Sequence, residues 1–141
     1  MRTSFAPSPL TRVLAIAMLV DQIVVHVHLA PDHLEEVPYI GVGFVVASAL
    51  LTAVAVVLVL RPRNRWAWLG GAALMLGMAL LFTASRLVGL PDYHEAWTSD
   101  GALGLWSLPA ELIYLLCAAD AMKRTRYVTR QPGPVGMPAT V

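Results

Sequence analysis

Four apolar runs, each long enough to cross a bilayer, leave this chain very little freedom: about 10–30, 38–60, 66–88 and 102–122. A spanning helix needs roughly 20 predominantly apolar residues, and a bilayer accepts only helices or closed barrels. The runs take up most of the 141 residues, so no room is left for a sizeable soluble domain. Charged residues are 13% of the chain, about half of what a soluble domain carries. The expected fold is therefore all-α, a polytopic membrane four-helix bundle spanning 10–122. A flexible lead precedes it at 1–9, and a basic, then Pro/Gly-rich, disordered tail follows at 123–141. DNA binding and soluble catalysis are disfavoured, and the lipid bilayer is the expected partner.

The basic residues orient the bundle. Arg2 precedes the first run and Arg12 stands at its start, Arg61, Arg63 and Arg65 separate the second from the third, and Lys123, Arg124, Arg126 and Arg130 follow the fourth. The positive-inside rule then puts both termini and the middle loop in the cytoplasm. The other two loops, about 31–37 and 89–101, carry Asp32, Glu35, Glu36, Asp92, Glu95 and Asp100 without any Lys or Arg. The first run has the basic start of a secretion signal. Asp21 interrupts it, however, and no A-x-A cleavage pattern stands directly ahead of Pro31, so a retained anchor is expected.

Local signals set the expected boundaries. Pro31 ends the first helix, and Asp32 stands three before Glu35 in the spacing of a capping box, predicting a short helical turn outside the membrane. Pro38 suits the first turn of the second helix and Thr98-Ser99-Asp100 caps the fourth, in which Pro109 predicts a bend or a freed carbonyl. Gly43 lies four before Ala47 and Ala73 four before Gly77, a spacing that lets helices pack closely within the bundle or, less readily, between copies. Trp97 and Trp106 at one end and Trp66 and Trp68 at the other suit interfacial belts. Pro31-Asp32-His33-Leu34-Glu35 recurs 60 residues later as Pro91-Asp92-Tyr93-His94-Glu95, with His26 opposite Arg86. Such an echo predicts two helical hairpins related by an axis along the membrane normal.

Two constellations are candidate sites. Asp21, Arg86 and Glu111 are ionisable groups inside apolar runs, where an unpaired charge is costly and partners are expected in the bundle interior. Both acids are expected roughly 13 Å below the outer boundary. Arg86 starts nearer that boundary, but its Cβ tilts toward the helix N-terminus, so its long side chain leans inward. An Arg86–Glu111 or Arg86–Asp21 pair follows, with Tyr114 hydrogen-bonding into it and His26 inside if the echo is real. The plain reading is an ion pair that fixes helix register; the functional one is a proton or ion path. The second constellation is a cap of His28, His33, Glu36 and His94 in or near the outer loops, a ligand set suited to a divalent or copper ion. Its plain reading is solvated loop residues. No H-E-x-x-H or Met-rich run sharpens it, facing intramembrane histidines for haem are lacking, and Cys117 is a lone cysteine.

The His28-Leu29-x-Pro31-x-His33-Leu34-Glu35-Glu36 stretch, with Ser85-Arg86-Leu87-Val88-Gly89-Leu90-Pro91, resembles uncharacterised small four-helix integral membrane proteins of actinobacteria. That resemblance implies an actinobacterial plasma membrane and carries no activity with it. The expected function is a non-enzymatic membrane protein whose outer cap binds a metal ion above a buried Arg–carboxylate cluster. The alternatives are an accessory or structural subunit of a larger membrane complex, a homo-oligomer, or a small proton-coupled transporter using Asp21 and Glu111.

Overall fold

The computed structural model describes residue 5 and residues 7–94 and 101–128. Glu95, Trp97, the Thr98-Ser99-Asp100 cap, most of the lead and residues 129–141 of the tail lie outside them. Four helices follow in order: α1 (Pro9–Glu36), α2 (Pro38–Leu60), α3 (Arg65–Leu87) and α4 (Gly101–Val128). All four are long and apolar enough to cross a membrane. Their outward faces present Val56, Val59, Leu80, Leu112 and Leu116 rather than charge, which suits lipid and not water. The chain is an integral membrane protein.

Capping explains where the helices start. The Ser8 hydroxyl accepts the Thr11 N–H at 3.1 Å, and Pro9 occupies a position whose N–H would have no helical partner. Asn64 Oδ1 accepts from the N–H groups of Trp66 and Ala67 at the start of α3. A single residue, Val37, separates α1 from α2, and its N–H closes α1 on the His33 carbonyl at 2.9 Å. That junction is tight because Gly41 has no side chain: a Cβ there would sit 2.5 Å from the Leu34 backbone nitrogen.

Each helix packs against its neighbours in chain order, and α4 closes the ring on α1. The α1–α2 interface is the most extensive and α2–α3 the least, and among the described residues no diagonal pair of backbones comes close. The core fills the half nearer the arginine-bearing α2–α3 turn. Leu19, Leu51, Leu58, Trp68, Met75 and Tyr114 are fully buried there. Beside it, Thr11 donates to Asp120 at 2.8 Å and Arg124 pairs with the same carboxylate, tying the start of α1 to the end of α4.

Four expectations change. Pro31 does not end α1, which continues through it to Glu36, so Asp32 lies within the helix and caps no separate turn. A proline deprives a helix of only one internal hydrogen bond, and membrane helices tolerate the loss where neighbours pack around it. Residues 123–128, read as the start of the tail, extend α4. Trp68 is no interfacial anchor: it is fully buried, and its indole N–H donates to the Pro62 carbonyl at 3.0 Å, while Trp66 is exposed under Arg65. Close packing at small residues occurs at Gly41 and Gly71, where a Cβ would overlap the Tyr114 hydroxyl; Gly43 and Gly77 face open space.

Candidate functional site

The half of the bundle nearer the acidic turns is hollow. A cavity of about 340 Å³ lies among all four helices, within the size range of small-molecule sites. Leu29, Ile40, Phe44, Met78 and Phe82 make most of its wall apolar. Gly43 and Leu81 line it and are also exposed on the outside of the bundle. The cavity therefore opens sideways, at the seam between α2 and α3 where the two helices touch least.

Its polar wall comes from three helices. Arg86 is buried near the end of α3, and its side chain turns back along the helix as the Cβ direction predicts. The guanidinium carbon lies 3.6 Å from the centroid of the Phe82 ring, one turn below, and Nη1 donates to Ser85 Oγ at 2.9 Å and to the Phe82 carbonyl at 3.4 Å. A cation over an aromatic face is attracted by the ring quadrupole, which offsets part of the cost of burial. Ser85 is buried beside it and donates its own proton to the Phe82 carbonyl.

From α4 comes Glu111, 2% exposed, with Oε2 buried and no hydrogen-bond partner among the described residues. One turn earlier on α4, the Ser107 carbonyl accepts from Gln22 Nε2 at 3.3 Å, leaving Gln22 Oε1 buried without a donor. The Gln22 carbonyl in turn accepts from His26 Nδ1 at 2.8 Å. A carbonyl only accepts, so Nδ1 carries the hydrogen, and in the neutral ring the lone pair is left on Nε2. His26 lines the cavity and packs edge-on against Phe44 at 4.9 Å. Arg86 and Glu111, expected inside from the sequence, thus share one cavity with His26, expected there only if the echo is real. Gln22, Ser85 and Ser107 belong beside them but were not singled out; as uncharged residues in apolar runs, their polarity alone was their signal.

The other members of the expected cluster lie elsewhere. Asp21 is outside the cavity, half-buried between α1 and α4, where its Oδ1 accepts the Trp106 indole N–H at 3.3 Å. It stands 15 residues from the end of the lengthened α1, so the depth expected for it falls with the boundary at Pro31. Tyr114 stacks on Trp68 in the core at 6.3 Å, and its hydroxyl meets Gly71 rather than Glu111. Neither expected ion pair forms: among the described residues the one pair within 4.0 Å is Asp120–Arg124.

The metal cap is not assembled. Among the described residues no group of three His, Cys, Asp or Glu side chains is placed to hold an ion. The continuation of α1 to Glu36 is the cause. It keeps His28 and Glu36 on exposed helix surface while His33 turns inward, and His94 is exposed beyond α3. His33 is committed to structure: Nδ1 donates to the Leu29 carbonyl at 2.9 Å, and Nε2 lies 3.0 Å from the Tyr93 hydroxyl. In the neutral ring that leaves Nε2 to accept the tyrosine proton.

The chain matches no family model, no curated protein and no solved structure. The site's chemistry rests on its own geometry. It is an apolar chamber with one polar wall, opening between α2 and α3, with room for a molecule that is itself mostly apolar with a small polar part.

Proposed function

We propose that the protein is a non-enzymatic membrane protein that binds a small membrane-soluble molecule inside its bundle. The observation that carries this reading is the cavity of about 340 Å³ with buried Glu111 on its wall. A void of that size forfeits dispersion contacts, and a buried carboxylate oxygen without a partner costs more still. An occupant that contributes atoms to both offsets the two penalties together. The side opening at Gly43 and Leu81 gives such a molecule a route from the bilayer.

In this reading both termini face the cytoplasm of an actinobacterial plasma membrane, and the acidic turns face out. The arginines at 61, 63 and 65 support that orientation, as do the acids at 32, 35 and 36. The two hairpins are related repeats. Support comes from His26 and Arg86 lining one cavity and from His33 meeting Tyr93, both pairs being 60 residues apart in sequence.

The test is native mass spectrometry of the protein released from lipid nanodiscs, beside Gly43→Leu. The added side chain meets nothing within 4 Å at its Cβ, so it fills the opening without disturbing the helices. A single small adduct on the wild type that the variant lacks is the expected result. Equal spectra, with no adduct or the same one, overturn the reading.

A second reading, a proton-coupled carrier, is favoured by one observation: Glu111 Oε2 has no partner to hold it in one state of protonation. It predicts proton uptake into protein-containing vesicles that Glu111→Gln abolishes. Asp21→Asn leaves it unchanged, because Asp21 stands outside the cavity. Uptake equal to that of empty vesicles removes this alternative.

A further inference from the structure

At the end of the bundle away from the cavity, the start of α1 and the α2–α3 turn enclose a recess of about 290 Å³. Pro7, Pro9, Val13 and Pro62 form its walls, and Arg12 lines it from α1 and Arg63 from the turn. Phe5, buried in the core just before Pro7, fixes the lead on that side. Among the described residues no acid lines the recess, and neither arginine side chain has an ion-pair or hydrogen-bond partner. Asp120, the one described acid at this end, is taken up by Thr11 and Arg124. Two like charges lining one recess repel, and an anion between them relieves that cost. Phosphate is the anion whose oxygens fit guanidinium groups in geometry as well as charge.

The surroundings of the recess show where such a phosphate comes from. Exposed Trp66, with Arg65 over its ring, stands in the first turn of α3, directly after the turn that carries Arg63. Tryptophan is enriched at the headgroup level of a bilayer, and basic pockets between membrane helices at that level bind anionic headgroups. Val13 is both a wall of the recess and the first of an exposed apolar stripe that continues along α1 through Val20, Val24 and Val27. A phosphate seated at the arginines thus has an apolar track beside it for an acyl chain, whereas a free phosphate leaves Val13 and the proline walls uncovered. We infer that this recess binds an anionic phospholipid, with the phosphate between Arg12 and Arg63 and an acyl chain along the Val13 stripe of α1. A zwitterionic headgroup brings its own cation toward two arginines and fits less well.

The test titrates detergent-purified protein with dioleoyl-phosphatidylglycerol, dioleoyl-phosphatidylcholine or inorganic phosphate and reads bound species by native mass spectrometry. The wild type should bind phosphatidylglycerol about tenfold or more tighter than phosphatidylcholine. Arg12→Gln combined with Arg63→Gln should abolish that preference. Arg61→Gln combined with Arg65→Gln removes the same charge outside the recess and should keep it. The Arg12→Gln, Arg63→Gln variant should melt as the wild type does without lipid, since neither side chain has a partner to lose. Equal binding of the two lipids by the wild type, or an equal loss in the two double variants, overturns the site. Inorganic phosphate that displaces the lipid at equal concentration overturns the lipid as its occupant. Should the Arg12→Gln, Arg63→Gln variant fail to fold, Arg63→Gln alone, in the exposed turn, takes its place against Arg61→Gln.

Discussion

The segments beginning at Pro31 and Pro91 start with the same Pro-Asp pair, and the backbone treats them in opposite ways. At Pro31 the helix continues for five more residues to Glu36 and turns into α2 over Val37 alone. At Pro91 the helix has already stopped: α3 ends at Leu87, Gly89 takes φ +81°, Asp92 takes φ +55°, and Leu90 and Tyr93 close a tight turn on each other's backbones. The difference lies in what surrounds the proline. Before Pro31 stands Ala30, a strong helix former, and after it Leu34 packs onto Gly41 of α2. Two residues before Pro91 stands Gly89, whose left-handed backbone a helix cannot continue through. The proline is permissive in both places, and the glycines decide. One glycine lets two helices close on each other, and the other lets a helix stop.

The largest effect should come from removing the first of these. In Gly41→Ala the new Cβ stands 2.5 to 2.6 Å from the Leu34 backbone, which cannot give way as a flexible side chain would. Overpacking of this kind costs about 1–3 kcal/mol, and contact with backbone belongs at the top of that range. Thermal unfolding in detergent should show a clear loss. Gly43→Ala, two residues on with nothing within 4 Å, should match the wild type. Equal melting temperatures for the two variants would mean that α1 and α2 are not clamped at this point.

Gly89→Ala tests the other side of the comparison. A non-glycine residue held at φ +81° pays about 1–2 kcal/mol, and its Cβ would also lie 3.2 Å from His94 Nδ1. The melting temperature should fall by less than for Gly41→Ala. A variant as stable as the wild type would show that the turn after α3 relaxes easily, unlike the junction after α1.

These glycines mark where the sequence was legible and where it was not. Runs of about 20 apolar residues placed α2 at its observed limits and α3 to within one residue, because the bilayer requires length and apolarity whatever the packing. The end of α1 was not legible. A proline followed by a capping-box spacing reads locally as a stop, and only the contact of Leu34 with Gly41 reveals the continuation. The same error assembled a metal cap from His28, His33, Glu36 and His94, since loop residues converge more freely than residues on one helix. Within the membrane, burying a charge is costly enough to put Arg86 and Glu111 inside by itself. Asp21 met only part of the same cost, through an indole donor to Oδ1 between α1 and α4 with Oδ2 left buried and without a partner among the described residues, and periodicity could not tell the two apart. The cavity left no mark in the sequence at all. It depends on α2 and α3 standing apart at Gly43, at a spacing that reads as close packing.

The smallest effect expected is the one that bears most directly on the two segments, because it joins them. His33 of the first lies 3.0 Å from the hydroxyl of Tyr93 of the second, at matching positions 60 residues apart. Tyr93→Phe removes the hydroxyl and keeps the ring; His33→Phe removes the acceptor and keeps an aromatic beside Phe44, which His33 touches at 4.8 Å. Each change also disturbs other contacts of its residue, so only the double-mutant cycle isolates the bond. A neutral hydrogen bond of this kind should appear as a coupling of about 0.5–1.5 kcal/mol. A coupling in that range makes the helical segment after Pro31 the support on which the turn after Gly89 rests. A coupling near zero would mean that the two segments hold their different shapes independently, and that the long α1 and the short α3 follow from their own glycines alone.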